Sequence, residues 1–470
     1  MNSSKVDFQT SNYSRKYLEW AIVILSSLLL GIWAVRETIA VRNILLFGGA
    51  PLSVYYITQE FKRSSLKQQC DFWRILPILL LGLTFVWVVG HYFFLSIDSF
   101  QQLKELKSTW LRALMAAIVG LATGLALRNH PNRLNLLWLG VFISFIILFY
   151  QYIPHAIAQQ KIFVPNYDYY LFQHKINTVL MGMILLAGVD GALFDHLRSI
   201  GFRWCYLRLS YLLYWLIGTA MVLWSFVYIV DTRNGIGLST ILYGFWFLFA
   251  FIILIERQIQ SPNLKNWFVF LFVASGLSII LCFAFLQTKV NQGWTTLISD
   301  AKIAVQINHY PNWQNLAQLG YPKREDGQTV ALNTYERVAW ATAGSKAILG
   351  YPAGAGVLSF PFAIHPKRPP NMPTDQSTSG IATHSGWVEL GLAFGVPMLT
   401  LIFGSLLLSF LNAIRGNYTT KMTILGFTVL ISSLYTVGEV AINHGLEILF
   451  FFLALLPSLM LTKPHQTSDD

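Results

Sequence analysis

Three residues of this sequence combine a chemical type with a setting that suits chemistry: Arg233, Arg337 and His384. Arg233 opens an apolar run within VDTRNGIGLS. The free N–H groups and positive dipole end of a helix N-terminus would join its guanidinium there to make an anion site. Arg337 directly follows Glu336 in NTYERVAWATAGSKAILGYPAGAGVLSF and stands three residues before Trp340. Within 333–348, Val338, Ala341, Ser345 and Ile348 recur at helical intervals, and the glycines from Gly350 to Gly356 then close a tight turn. Such a turn can bring backbone N–H groups close to an anionic or sugar ligand. His384 stands at the mouth of the apolar stretch THSGWVELGLAFGVPML, between Thr383 and Ser385, either of which can cap a helix. A helix N-terminus disfavours positive charge, so the imidazole is expected to be neutral and able to accept a proton as a general base.

Each residue also has a plain structural reading. Arg233 fits an interfacial arginine snorkelling to headgroups, Arg337 an ion pair with Glu336 or another loop acid, the glycines simple loop geometry, and His384 an interfacial histidine without a task. Taken together they say more, because all three are expected on one membrane face. The carboxylates expected nearby (Asp300, Glu325, Asp326, Glu336 and Asp375) form no DxD or HExxH pattern, so no metal ligands are predicted. A reaction that expels a diphosphate needs its leaving-group charge offset, and arginine, whose fork fits phosphate oxygens, is the available device.

The elements that must position these residues are membrane helices. Of 470 residues, 54% are hydrophobic and 12% charged, with mean hydropathy +0.51; soluble globular chains carry about 25% charged residues. The net charge of +11 is scattered in short clusters between apolar runs, a pattern of membrane orientation, so nucleic acid is excluded as a partner. Cys70, Cys205 and Cys282 show no metal or redox spacing. The N-terminus reads as a first span and not a cleavable signal. A crossing needs about 20 apolar residues, and twelve runs qualify: 17–35, 39–57, 74–96, 109–127, 134–153, 175–195, 207–229, 235–255, 266–288, 385–411, 422–440 and 445–462. With the N-terminus inside, inner tails and loops hold seventeen lysines and arginines against eight in the short outer connections. Both termini are thus expected to be cytoplasmic. Three regions follow: 1–288 with nine spans, a loop at 289–384 on the outside, and 385–470 with three spans and a cytoplasmic tail.

TRNG opening a span, YERVAWATAGSKAILGYPAGAG in a large outer loop, and HSGWVELGLAFGVP opening the next span together resemble the O-antigen ligase (Wzy_C-type) family over roughly 205–460. His384, Ser385, nine residues and Gly395 match that family's H-[N/S]-x9-G signature, although Met398 occupies its next small position. INHGLEILFFFLALL resembles its last span. The resemblance implies an all-α polytopic protein of GT-C type with short helices in a periplasmic loop. It implies an inverting glycosyltransferase, without cofactor or metal, in the inner membrane. A preassembled glycan would pass from undecaprenyl diphosphate to lipid A–core, or, in the family's related activities, to a growing O-antigen or to a pilin or other protein. Arg233 and Arg337 would hold the diphosphate, His384 would act at the acceptor hydroxyl, and Tyr335, Trp340, Gly354 and Gly356 would contribute to binding. A transporter or flippase is the rival reading, with Asp190, Glu439 and Arg233 lining a path.

Overall fold

The structure, a computed structural model, describes residues 3–62, 71–128, 130–165, 170–200, 207–260, 294–314, 316–359, 362, 364–368, 383–441 and 444–461, together with 274, 278 and 285. Among these it is helical throughout, with one antiparallel bridge between Lys323 and Thr329. In chain order the α-helices are α1 (Ser3–Ile32), α2 (Ile39–Lys62), α3 (Phe72–Phe94), α4 (Ser99–Glu105), α5 (Leu111–Leu127), α6 (Leu134–Gln159), α7 (Lys175–Ser199), α8 (Leu209–Trp224), α9 (Arg233–Gln260), α10 (Leu297–Ala304), α11 (Leu316–Leu319), α12 (Leu332–Gly350), α13 (Gly386–Arg415), α14 (Lys421–Val437) and α15 (Gly445–Ser458). Two π-helical turns, Leu106–Trp110 and Ser225–Ile229, interrupt the run-up to α5 and the end of α8.

Seven helical stretches are long and apolar enough to cross a membrane: Phe72–Phe94, Ser99–Leu127, Leu134–Gln159, Lys175–Ser199, Leu209–Ile229, Arg233–Ile252 and Gly386–Arg415. Helices α14 and α15 are apolar but shorter. The twelve crossings expected are therefore not reached among the described residues. The runs 17–35 and 39–57 do form helices, but α1 carries Arg15 and Glu19 and α2 carries Arg42, Glu60 and Lys62. The run 266–288 lies almost wholly outside the described residues.

The bundle packs around α7 and α15, both buried along nearly their whole length. Gly120 and Gly124 of α5 let α15 approach so closely that a Cβ on Gly120 would collide with the backbone of Phe451, and one on Gly124 with that of Leu455. Such small-residue seams are how helices gain van der Waals contact in lipid. At the end expected to be cytoplasmic, Glu19 and Glu60 hold Arg15, Arg128 and Arg133 in one largely buried network joining α1, α2, the end of α5 and the start of α6.

The feature that positions the site is a break in α13. Pro397 has no N–H to give the carbonyl of Ala393, and its ring crowds that carbonyl, so the helix cannot run straight. Gly395 takes up the change with φ 73° and ψ −168°, a conformation barred to other residues. The glycine turn after α12 then fills the gap. Ala355 N–H donates to Leu392 O (2.8 Å), Gly356 N–H to Ala393 O (2.6 Å), and Val396 N–H to Pro352 O (2.9 Å).

Gly395→Ala is expected to cost at least about 2 kcal/mol, since it adds strain at positive φ and a collision with Pro352 and Ala353. Gly48→Ala, a helical position with open space around it, is expected to be neutral or stabilising. Thermal unfolding of the two purified variants checks this; equal transitions would mean that the break bears no strain.

Candidate functional site

Arg233 owes its position to the corner before α9. After the π turn, Thr232 N–H donates to Phe226 O (2.9 Å) and Asp231 adopts φ 46°. Thr232 Oγ1 then accepts from Gly235 N–H (3.3 Å), the bond of an N-cap. Arg233 is thus the first residue of a long helix, beside its unpaired N–H groups. Among the described residues its guanidinium has no hydrogen-bond or ion-pair partner.

Arg337 lies on α12, which is the helix expected in the outer loop, with somewhat wider limits than 333–348. Its Nη1–H donates to Val437 O (3.2 Å) at the end of α14. The expected ion pair with Glu336 is not formed, because Glu336 accepts from the Tyr321 hydroxyl (2.7 Å). Burial draws the Arg337 guanidinium below its ordinary pKa; Glu439 opposes that shift and Arg233 adds to it. An arginine remains charged through such shifts.

Both arginines line a single cavity of about 870 Å³. Its polar end also includes Lys175 at the start of α7, Asn333 and Thr334 of α12, and Ser433 and Thr436 of α14. Lys175 Nζ donates to Asp231 O (3.3 Å) across the same rim. The rest of the wall is largely apolar, with Ile176, Val179, Ile236, Leu238 and Ile241 leading down α7 and α9. Ile241 is 52% exposed, so that wall reaches the outer surface of the bundle. Lys175, in the sequence one of the eight outer charges, is a cavity residue that only the structure reveals.

His384 does not line the cavity. It adjoins it through Glu439, whose carboxylate is hydrogen-bonded to His384 Nδ1 and lies within electrostatic reach of Arg337. The imidazole stacks on Trp340 (ring centroids 5.3 Å apart, planes 26° apart), one turn along α12 from Arg337. His384 sits at φ 53°, a left-handed conformation uncommon outside glycine, directly before α13. Neither neighbour caps that helix with its side chain, contrary to expectation. Thr383 Oγ1 instead braces the turn by donating to Ser385 O (3.0 Å), and Ser385 Oγ is directed to Tyr435 O (3.5 Å).

Other expected site residues have structural tasks. Tyr335 is fully buried and its hydroxyl donates to Tyr310 O (2.9 Å). The indole N–H of Trp340 donates to Trp313 O (3.3 Å). Gly354 N–H is used by Tyr351 O (3.2 Å) and Gly356 N–H by Ala393 O, so neither offers a donor to a ligand. Both glycines have positive φ and face backbone or buried side chains, including His91 and Gln102. Apart from these, His444 joins Glu447, Arg112 and Trp33 in a second cluster. Asp190 accepts from Trp215 Nε1 (2.7 Å) inside the bundle. Cys70, Cys205, Cys282 and most of the proline-rich segment after Arg368 lie outside the described residues.

The fold and site define an all-helical protein with several membrane-spanning helices and a cationic cavity at one end of the bundle. No known family model matches the chain, and no curated protein matches it.

Replacing Arg233 or Arg337 with alanine is expected to weaken binding of an anionic amphiphile probe to the cavity by about 10- to 100-fold, the value of a hydrogen bond to a charged group. Lysine at either position should restore only part of the loss, being a point charge in place of a fork. The readout is lipid binding to purified variants; unchanged affinity in both alanine forms would remove these arginines from the site.

Proposed function

We propose that this chain is an inverting, metal-independent glycosyltransferase of GT-C type. It moves a preassembled glycan from undecaprenyl diphosphate to lipid A–core on the periplasmic face of the inner membrane, as an O-antigen ligase does. In this reading the chain crosses the membrane twelve times with both termini in the cytoplasm. The cavity then opens at the periplasmic side.

One observation carries the reading: two arginines from distant segments converge on one cavity whose other walls are apolar. That surface suits a ligand with an anionic head and a long apolar tail. A diphosphate at the rim would bind between Arg233 and Arg337, while its isoprenoid chain followed Ile236, Leu238 and Ile241 towards lipid. As the glycosidic bond to phosphate breaks, charge grows on the diphosphate, and fixed guanidinium groups stabilise it without reorganising. In this reading His384, beyond Arg337, takes the proton of the acceptor hydroxyl as that oxygen attacks the anomeric carbon.

The transporter reading has less support. Asp190 is committed to Trp215 and Glu439 to His384, and only Arg233 of the three faces the cavity.

Transfer from purified donor to lipid A–core in detergent is the direct test, with O-antigen repeat units and a pilin peptide as alternative acceptors. Transfer should persist in excess EDTA, because guanidinium groups and not a divalent ion balance the leaving group. His384→Ala should lower turnover by about 10²–10⁴ with donor binding little changed, the usual range for a lost general base. Full turnover in that variant, or activity abolished by chelation and restored by magnesium, would overturn the mechanism; absence of transfer to all three acceptors would overturn the function.

A further inference from the structure

We propose that Glu439 is the positioning residue of His384, so that the base for transfer is a histidine–glutamate pair and not a lone imidazole. This rests on the transferase reading above. The carboxylate of Glu439 is bonded to His384 Nδ1, and its side chain is only 9% exposed. An ionised carboxylate can only accept, so a neutral imidazole paired with it through Nδ1 has its proton there and its lone pair on Nε2.

The pair is held from all sides. Gly386 N–H donates to Gly438 O (2.6 Å), and Glu389 Oε2 accepts from Val440 N–H (2.8 Å) and Ala441 N–H (3.2 Å). Both neighbours of Glu439 are therefore tied to the first turn of α13, the helix that begins two residues after His384. Leu446 N–H fastens the other end to Val440 O (3.2 Å). Trp340 covers one face of the imidazole, and Arg337 is the cation near the carboxylate. Glu389 is fully buried, and among the described residues its second oxygen has no hydrogen-bond partner.

The proposed step balances. The acceptor hydroxyl gives its proton to His384 Nε2, and its oxygen forms the new bond to the anomeric carbon. The bond from that carbon to the phosphate oxygen breaks, and its electron pair leaves with the diphosphate. Glu439 stabilises the imidazolium that forms, as a carboxylate does behind a catalytic histidine, and keeps the ring turned towards the acceptor.

The test uses the full-length protein with undecaprenyl-diphosphate-linked glycan and lipid A–core. Glu439→Gln should lower kcat by tenfold or more, up to the full loss of His384→Ala, and leave donor affinity unchanged or tighter, since it removes a negative charge near Arg337. Glu439→Asp should recover part of kcat. In a His384→Ala background, Glu439→Gln should cost nothing further, because residues that act as a unit are not additive. Weaker donor binding, or a loss in the double variant that multiplies the two single losses, would overturn the pairing. So would an unchanged kcat in Glu439→Gln alongside a slow His384→Ala, which leaves the transferase reading standing. A His384→Ala enzyme as fast as wild type would instead defeat that reading and the pairing with it.

Discussion

The docking of the glycine turn into the broken helix α13 supports everything at the site. A membrane helix that breaks leaves backbone groups unsatisfied, and each costs several kcal/mol where no water can reach it. Here the Pro352–Gly356 segment supplies the missing donors and acceptor for Leu392, Ala393 and Val396. The turn itself is held from below: His91 is bonded to Gly354 O (3.1 Å), and Glu105 accepts from Leu358 and Ser359 N–H (2.7 and 2.8 Å). Helix α12 ends where this turn begins, so the register of the clasp sets where Arg337 and Trp340 stand. Gly344 and Gly391 let α12 and α13 lie against Val388 and Ile348 without room for a further side chain. Helix α12 and the glycine turn are thereby packed directly onto α13.

Charge is distributed at the site in an uneven way. Glu439 lies near Arg337 and His384, whereas Arg233 has no anionic partner among the described residues. Two guanidinium groups facing one cavity repel each other, and burial penalises the inner one. An anion entering between them relieves both effects at once.

The sequence was informative where chemistry and local structure coincide. Arg233 at the opening of a span, Arg337 on a helical stripe and His384 before an apolar run could each be read from a few neighbouring residues. Their convergence could not, because it depends on α7, α9, α12 and α14 meeting at one end of the bundle. The glycine turn was misread for the same reason. Gly354 and Gly356 look like a ligand cradle when seen alone, yet their backbone serves a helix break some forty residues later, whose cause is Pro397. Tyr335 and Trp340 have the types of binding residues, but the outer loop needs a core of its own, and they supply it with Trp313, Ala339 and Phe362. Glu439 was visible as a lone acid in an apolar stretch, and only its partner was hidden.

The end of α14 joins the two halves of the site. The carbonyl of Val437 receives Arg337, and two residues further on Glu439 receives His384. Val437 also lines the cavity together with Ser433 and Thr436. One short segment therefore touches the cationic rim and the histidine, and its own path is fixed by Glu389 at the base of α13. Any movement of that segment would shift the arginine and the imidazole together. For a reaction in which a leaving group is held on one side and a hydroxyl is deprotonated on the other, a shared support keeps the two at a constant separation, and that separation is what productive geometry requires.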